Sequence, residues 1–199
     1  KRALHISLPM GLQQTIMCSA YVMTTIIIAP LGTFAIAANS FGVIVESLCY
    51  MPGYGIADAA TTLVGQSIGA GRHELMKRFA WLSVGLGVTV MAVMGVVMYV
   101  GAPVAMAMMT PAEEVRRLGV EVLRIEAFAE PMFAAAIVSY GVFVGAAKTL
   151  VPSIMNLVSI WGVRISLAAL LAPSMGLRGV WIAMCIELCF RGFIFLVKL

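Results

Sequence analysis

The feature that most constrains this chain is the length of its uncharged apolar runs. Residues 3–45 contain no aspartate, glutamate, lysine or arginine. A helix needs about 20 apolar residues to cross a bilayer. Of the 199 residues, 62% are hydrophobic and 11% are charged, whereas soluble domains average about 45–50% and 25%. We therefore predict an all-α polytopic membrane protein, which argues against a soluble enzyme, a nucleic-acid-binding protein and a disulfide-rich secreted protein.

Proline and glycine divide the apolar runs into six predicted spans. These spans cover residues 7–29, 33–67, 79–100, 131–147, 150–172 and 177–197. The second is about 50 Å long as a straight helix, so we expect a bend at Pro52. Residues 101–112 are predicted to be a connection, and residues 112–128 an amphipathic helix that leads into the fourth span. Residues 1–199 would then form a single six-helix transmembrane lobe.

Basic residues divide unevenly between the two sides that six spans create. Eight fall on one side and four on the other: Lys1, Arg2, Arg72, Lys77, Arg78, Lys148, Arg191 and Lys198 against Arg116, Arg117, Arg124 and Arg178. Because cytoplasmic loops collect lysine and arginine, we expect a cytoplasmic N-terminus in the inner membrane of a prokaryote. The chain starts at Lys1 and ends in an apolar helix, which favours a fragment or one lobe of a longer protein.

Acidic residues inside the spans are the first candidates for function, because an ionised group at a helix centre costs about 3 kcal/mol on insertion scales. Glu46 and Asp58 lie in the second predicted span, and we interpret both as ion-coupling candidates. Asn39 lies seven residues before Glu46, on the same helix face. Asp58 is rotated away from Glu46 and lies beyond the expected bend, so the two carboxylates need not share a site.

Glu126 and Glu130 are four residues apart, just before Pro131. They continue a charged segment, so a solvated face at the membrane surface is the expected arrangement. The alternative is a carboxylate pair at the mouth of a cavity, where desolvation would favour proton binding. Glu130 is therefore our third ion-coupling candidate.

Glu187 and Arg191 form a favourable i,i+4 pair on the sixth span, and Arg164 on the fifth span is positioned to join them. We interpret these three residues as a structural ion pair between helices, with a transport site as the alternative. Gln13, Gln14, Asn39 and Asn156 are polar residues in apolar surroundings. They are candidates for lining a substrate cavity, although such residues also hold helices together.

The sequence gives little support for metal binding, redox chemistry or hydrolysis. The two histidines, His5 and His73, lie outside the apolar runs, and Cys185 and Cys189 lack a zinc or redox spacing. We expect no metal centre and four cysteines that pack as buried thiols. Motifs of serine hydrolases and zinc proteases are absent from the sequence, so we predict that the chain is not an enzyme.

Several short motifs, in this order, resemble the multidrug and toxic compound extrusion (MATE) family of secondary transporters. They are Leu8-Pro9 with Gln13-Gln14, Pro30-Leu31-Gly32 with Ala37-Ala38-Asn39, Gly55-Ile56-Ala57, Val64-Gly65-Gln66-Ser67, Trp161-Gly162-Val163-Arg164 and Gly179-Val180-Trp181. The resemblance covers nearly the whole chain. Two positions depart from the family pattern. The first span has glutamines where many members have an acidic residue, and Asp58 stands where the family usually has a small one.

The resemblance implies one six-helix lobe, the C-terminal one, of a twelve-helix transporter. It implies export of small organic, often cationic, compounds by alternating access in exchange for Na⁺ or H⁺. The partners would be the bilayer, a second six-helix lobe and the organic substrate, with no cofactor beyond the coupling ion and no nucleic acid. The alternatives are a flippase of similar fold for a lipid-linked precursor, which predicts an arginine-rich groove, and a membrane scaffold whose charges all pair.

Overall fold

The computed structural model describes the backbone of residues 2–199 and the side chains of residues 11–199. Lys1 lies outside the described residues, and so do the side chains of Arg2 and His5. Within the described part, the chain is built from helices alone: α1 (Arg2–Ile28), α2 (Thr33–Gly69), α3 (His73–Met109), α4 (Glu113–Ala127), α5 (Glu130–Gly145), α6 (Leu150–Leu157), α7 (Ser166–Met175) and α8 (Leu177–Lys198). A 3₁₀ turn (Ala29–Leu31) follows α1, and a π-helical segment (Val158–Ile165) joins α6 to α7.

Membrane-length helices account for nearly all of the described chain. Five helical stretches are long and apolar enough to cross a bilayer, and a bent pair, α4 with α5, provides a sixth when it is counted as one span. The α6, π and α7 segments together form one of the five, Leu150–Met175. The predicted all-α, polytopic class is therefore confirmed.

Internal prolines do not end the two longest helices. The helix α2 continues through Pro52, and α3 continues through Pro103 to Met109. The prediction of a connection over residues 101–112 was therefore wrong. In a membrane protein, neighbouring helices and local adjustments satisfy the backbone groups that a proline frees. Each of these helices has 37 residues and extends about 55 Å, well beyond a hydrocarbon core of about 30 Å.

The charged segment forms a helix of its own that meets the next one at an angle. The axes of α4 and α5 differ by 59°, with Pro131 in the first turn of α5, where its missing N–H is tolerated. Val115 and Val122 on α4 are buried. Glu126 and Glu130 are both 1% exposed, so the expectation of a solvated face was wrong for these two residues, and the bend places them inside the bundle.

The centre of the bundle is α5, which packs against α2, α3 and α8. Gly141 and Gly145 on α5 allow the backbone of α2 to approach closely. A Cβ atom at either position would lie 2.5 Å from a carbonyl oxygen of α2. Thr61 on α2 donates a hydrogen bond of 2.9 Å to the carbonyl oxygen of Gly141. These two glycines therefore act as the small residues that permit close packing between helices in a membrane protein.

Large apolar side chains cover the outside of the bundle, as expected for a surface in contact with lipid or another apolar partner. Leu82, Val100 and Leu170 are each about two-thirds exposed or more. Cys18 also lies on this surface, so the prediction of a buried thiol was wrong there. Arg191, which we assigned to the cytoplasmic side, is buried in α8. Without it, the predicted numbers of lysine and arginine residues on the two sides of the membrane become seven and four.

Candidate functional site

A cavity of about 600 Å³ lies within the bundle. Its walls come from α1, α2, α5, α6, the π-helical segment and α8. On α2 the lining residues recur every three or four positions from Asn39 to Thr61, as expected of one helix face. These two residues are 22 positions apart, which is about 33 Å along a helix. The cavity therefore extends over a distance comparable to the hydrocarbon core of a bilayer.

The four predicted substrate-cavity residues all line this cavity: Gln13, Gln14, Asn39 and Asn156. Two of them are held in place by hydrogen bonds. The Oε1 atom of Gln13 accepts a bond of 2.5 Å from the Ser153 hydroxyl and one of 3.2 Å from the Tyr140 hydroxyl.

Asn39 is the second amide that a hydrogen bond holds in place, and it is the first cavity-lining residue along α2. The Oδ1 atom of Asn39 accepts a bond of 3.1 Å from the indole N–H of the buried Trp181. This bond joins α2 to α8 and leaves the amide nitrogen of Asn39 available to a ligand.

Glu46 and Asp58 also line the cavity, in different surroundings. The Glu46 side chain is 8% exposed, and no described side chain forms a hydrogen bond or ion pair with its carboxylate. Asp58 is exposed and lies 12 residues further along α2, which is about 18 Å. The two carboxylates therefore occupy separate regions of the same cavity.

Glu126 and Glu130 form a buried carboxylate pair that does not line the cavity itself, although Phe133, one turn beyond Glu130 on α5, does. Both oxygens of Glu130 and the Oε2 atom of Glu126 have no hydrogen-bond partner among the described residues. A Cβ atom on Gly95 would lie 3.3 Å from the Cβ atom of Glu130, so α3 closes over this pair. Burying an ionised carboxylate without a partner is costly, and the described residues supply no hydrogen bond that offsets this cost for Glu130.

Sequence reasoning did not include Glu126 among the ion-coupling candidates. Its spacing of four residues from Glu130, immediately before a proline, was the available signal. Carboxylates from α2, α4 and α5 are therefore all buried inside the bundle, at Glu46, Glu126 and Glu130.

The predicted ion pair is present between two of its three members. The Nε atom of Arg191 lies 3.1 Å from the Oε1 atom of Glu187, and both side chains are buried. Ser159 in the π-helical segment donates a hydrogen bond of 2.6 Å to the same oxygen. These contacts join α8 to the π-helical segment within the bundle.

Arg164 does not join this ion pair. Its Nη2 atom lies 2.6 Å from the sulfur of Met184, and its guanidinium carbon is 5.8 Å from the ring centre of Tyr21. Within residues 11–199, no carboxylate forms an ion pair with it. The assignment of Arg164 to the structural ion pair was therefore wrong, and its side chain lines the cavity instead.

Metal chemistry has no support in the described part of the chain, where no group of three or more histidine, cysteine, aspartate or glutamate side chains has the geometry to hold a metal ion. The cavity combines amides, a free guanidinium, a nearly buried carboxylate and aromatic walls. Such a surface can bind an organic molecule, and its carboxylates can exchange protons.

Comparisons with known proteins give a consistent assignment. A family model described as MatE matches residues 9–170. A curated relative, a probable multidrug resistance protein NorM from Xylella fastidiosa, is 29% identical over 187 residues, which is 93% of this chain and 40% of the relative. The chain thus spans about 40% of the length of the curated relatives it matches.

Two solved structures share the fold. One is described as the outward-facing conformation of a multidrug resistance MATE family transporter of the MOP superfamily, with a TM-score of 0.86, 17% identity and coverage of 98% of this chain and 43% of that one. The other is described as the inward-facing conformation of such a transporter, with a TM-score of 0.85, 18% identity and coverage of 98% and 46%.

Proposed function

Because the chain belongs to the MatE family, we propose that it forms one lobe, the C-terminal one, of a secondary transporter that exports small organic compounds. A second six-helix lobe would complete the transporter in the cytoplasmic membrane, with the N-terminus of this segment on the cytoplasmic side. Alternating access would come from movement of one lobe against the other. Solved relatives with this fold in outward-facing and inward-facing conformations support that part of the proposal.

The observation that carries this proposal is the cavity together with the carboxylates beside it. A closed structural core would fill this volume with apolar side chains. Here a membrane protein keeps about 600 Å³ open and places Glu46 on its wall, with Glu126 and Glu130 buried nearby. Ionisable groups inside a membrane are expensive and usually mark an ion or substrate pathway. A scaffold protein would not need to retain three of them without partners.

We propose H⁺ as the coupling ion and Glu46 and Glu130 as the residues that carry it. Hard cations need several oxygen ligands at once, whereas both oxygens of Glu130 have no polar partner within residues 11–199. A single proton neutralises a carboxylate without further ligands. Asp58, the third candidate, lines the cavity but is exposed, and we assign it a smaller part in coupling than Glu46 and Glu130.

Proton and substrate transport would be coupled because each ligand weakens binding of the other in the same cavity. If proton binding at Glu46 weakens substrate binding, substrate binding weakens proton binding by the same factor. Proton influx down its gradient would then favour release of the substrate to the outside. Gln13, Gln14, Asn39 and Asn156 would supply hydrogen bonds to substrate, while aromatic and methionine side chains adapt to its apolar body.

A flippase for a lipid-linked precursor remains the alternative, and the cavity favours it less. That function calls for several free arginines to hold a pyrophosphate. Two arginines line the cavity within the described residues. Arg191 is neutralised by Glu187 at 3.1 Å, which leaves Arg164 alone.

Transport by the full-length protein in proteoliposomes tests the proposal. Accumulation of a fluorescent organic substrate is measured under an imposed pH gradient and, separately, under a Na⁺ gradient. We expect accumulation under the pH gradient to be lost in Glu46→Gln and in Glu130→Gln, and partly retained in Asp58→Asn. The matched control is Glu121→Gln, which removes a carboxylate from an exposed ion pair with Arg178. Wild-type accumulation in both Glu46→Gln and Glu130→Gln would show that these carboxylates do not couple transport.

A further inference from the structure

Arg164 is the one cationic group on the cavity wall, within the described residues, that has no anionic partner. It belongs to the π-helical segment that interrupts the fifth predicted span, between α6 and α7. Its recorded contacts are the thioether of Met184 and the ring of Tyr21. A thioether is a weak acceptor, so nearly all of the hydrogen-bonding capacity of the guanidinium group remains unused. π-Helical segments of this kind occur frequently at functional sites.

None of the other charged groups on the cavity wall forms an ion pair with Arg164. Arg191 carries the same charge and is already paired with Glu187 at 3.1 Å. Glu46 lines the same cavity but forms no ion pair with Arg164. Asp58 lies about 18 Å beyond Glu46 along α2 and also forms no ion pair with it.

An arginine keeps its charge under all ordinary conditions. A charged side chain inside a membrane is expensive unless it finds a partner or water. Its planar N–H donors match the two oxygens of a carboxylate or a phosphate. The aromatic ring of Tyr21 beside it supports both the cation and a flat ligand. The unused donors of Arg164 and the absence of an ion pair among the described residues therefore favour an anionic ligand at this position.

We propose that Arg164 binds the anionic group of the transported compound, a carboxylate or a phosphate. The preferred substrates are then amphipathic organic acids or zwitterions, and not simple organic cations as the family resemblance suggested. This inference rests on the proposed function, because it names the substrate class of the same cavity. An anionic lipid headgroup offers the same chemistry, and the experiment separates the two sources.

A matched pair of dyes provides the test. Rhodamine B carries a free carboxylate, and its ethyl ester has the same aromatic body without that charge. Binding of each dye to the full-length protein in phosphatidylcholine nanodiscs is measured by fluorescence polarisation. We expect Arg164→Gln to weaken binding of the acid by about 10-fold or more, since it removes charge-assisted hydrogen bonds to the anionic group. Binding of the ester should change by less than about 3-fold, which also shows that the variant is folded.

Two further variants sharpen the result. Arg164→Lys keeps the charge and loses the planar pair of donors, so the acid should bind with intermediate affinity. Arg178→Gln removes an arginine from the exposed ion pair with Glu121 and should leave the affinity for both dyes unchanged. An equal loss for acid and ester in Arg164→Gln, or an unchanged affinity for the acid, would overturn the proposal.

The source of the anion is identified in nanodiscs that contain phosphatidylglycerol. If this lipid weakens binding of the acid in the wild type but not in Arg164→Gln, the anion site is confirmed and a lipid headgroup competes for it. If the lipid has no effect in the wild type, the site is confirmed as specific to the organic compound. Absence of gradient-driven transport for either dye would contradict the proposed function, while the difference between acid and ester binding would still decide the role of Arg164.

Discussion

The buried ion pair between Glu187 and Arg191 gives a sharp prediction, because the chain contains an exposed pair for comparison. The buried atoms are 3.1 Å apart, with side-chain exposures of 7% for arginine and 0% for glutamate. The attraction at that distance is about 5 kcal/mol at an effective dielectric constant of about 20. Much of this offsets the cost of removing both charges from water. The net stabilisation by the intact pair is therefore small, but each member alone is an uncompensated buried charge.

Replacing one member should therefore cost far more than replacing both. We expect Arg191→Met or Glu187→Leu to lower the free energy of unfolding by about 3–5 kcal/mol. The double variant should be nearly as stable as the wild type, since two apolar side chains of similar volume replace the pair. The assay is SDS-induced unfolding of the full-length protein in mixed micelles, analysed as a double-mutant cycle.

The exposed pair between Arg178 and Glu121 is the control. Its atoms lie only 2.6 Å apart, but the side chains are 50% and 31% exposed. Pairs of this kind contribute about 0–1 kcal/mol. If the single variants of the buried pair cost no more than those of the exposed pair, and the cycle shows no coupling, burial does not raise the cost of breaking an ion pair in this protein.

Three further predictions follow from packing and access. Gly141→Ala should lower the free energy of unfolding by about 1–3 kcal/mol, since the new Cβ atom would lie 2.5 Å from a carbonyl oxygen, while Gly85→Ala, with no atom within 4 Å, should not. Ser159→Ala should cost about 1.5–3 kcal/mol in the same assay, because it removes a 2.6 Å hydrogen bond to a buried carboxylate. In a cysteine-free protein, Ser40→Cys on the cavity wall should react with a maleimide and be protected by substrate. The buried Ala129→Cys should not react.

The spans were predictable because hydropathy and turn residues act locally. Pro30 and Gly32 separate α1 from α2, and Gly176, with a positive φ of 63°, separates α7 from α8. Such signals depend on a few adjacent residues. Pro103 gave the wrong boundary because its effect depends on neighbouring helices, which the local sequence does not contain.

The interior charges were only partly predictable. Glu187 and Arg191 are on one helix, so their spacing alone brings them together. Glu126 and Glu130 belong to a charged stretch, and only the 59° bend between α4 and α5 carries them inside. The π-helical segment widens the helical turn and changes which face Arg164 presents. Spacing rules for a regular α-helix therefore could not place its side chain in the cavity.

Substrate-driven proton movement is the most direct test of the central claim, that the carboxylates beside the cavity couple proton and substrate movement. The full-length protein is reconstituted into liposomes with a pH-sensitive dye trapped inside, and an organic substrate is added without any imposed gradient. The account predicts a substrate-dependent change of internal pH that disappears in Glu46→Gln and in Glu130→Gln and persists in Glu121→Gln. The same pH change in the wild type and in both glutamine variants would contradict the account.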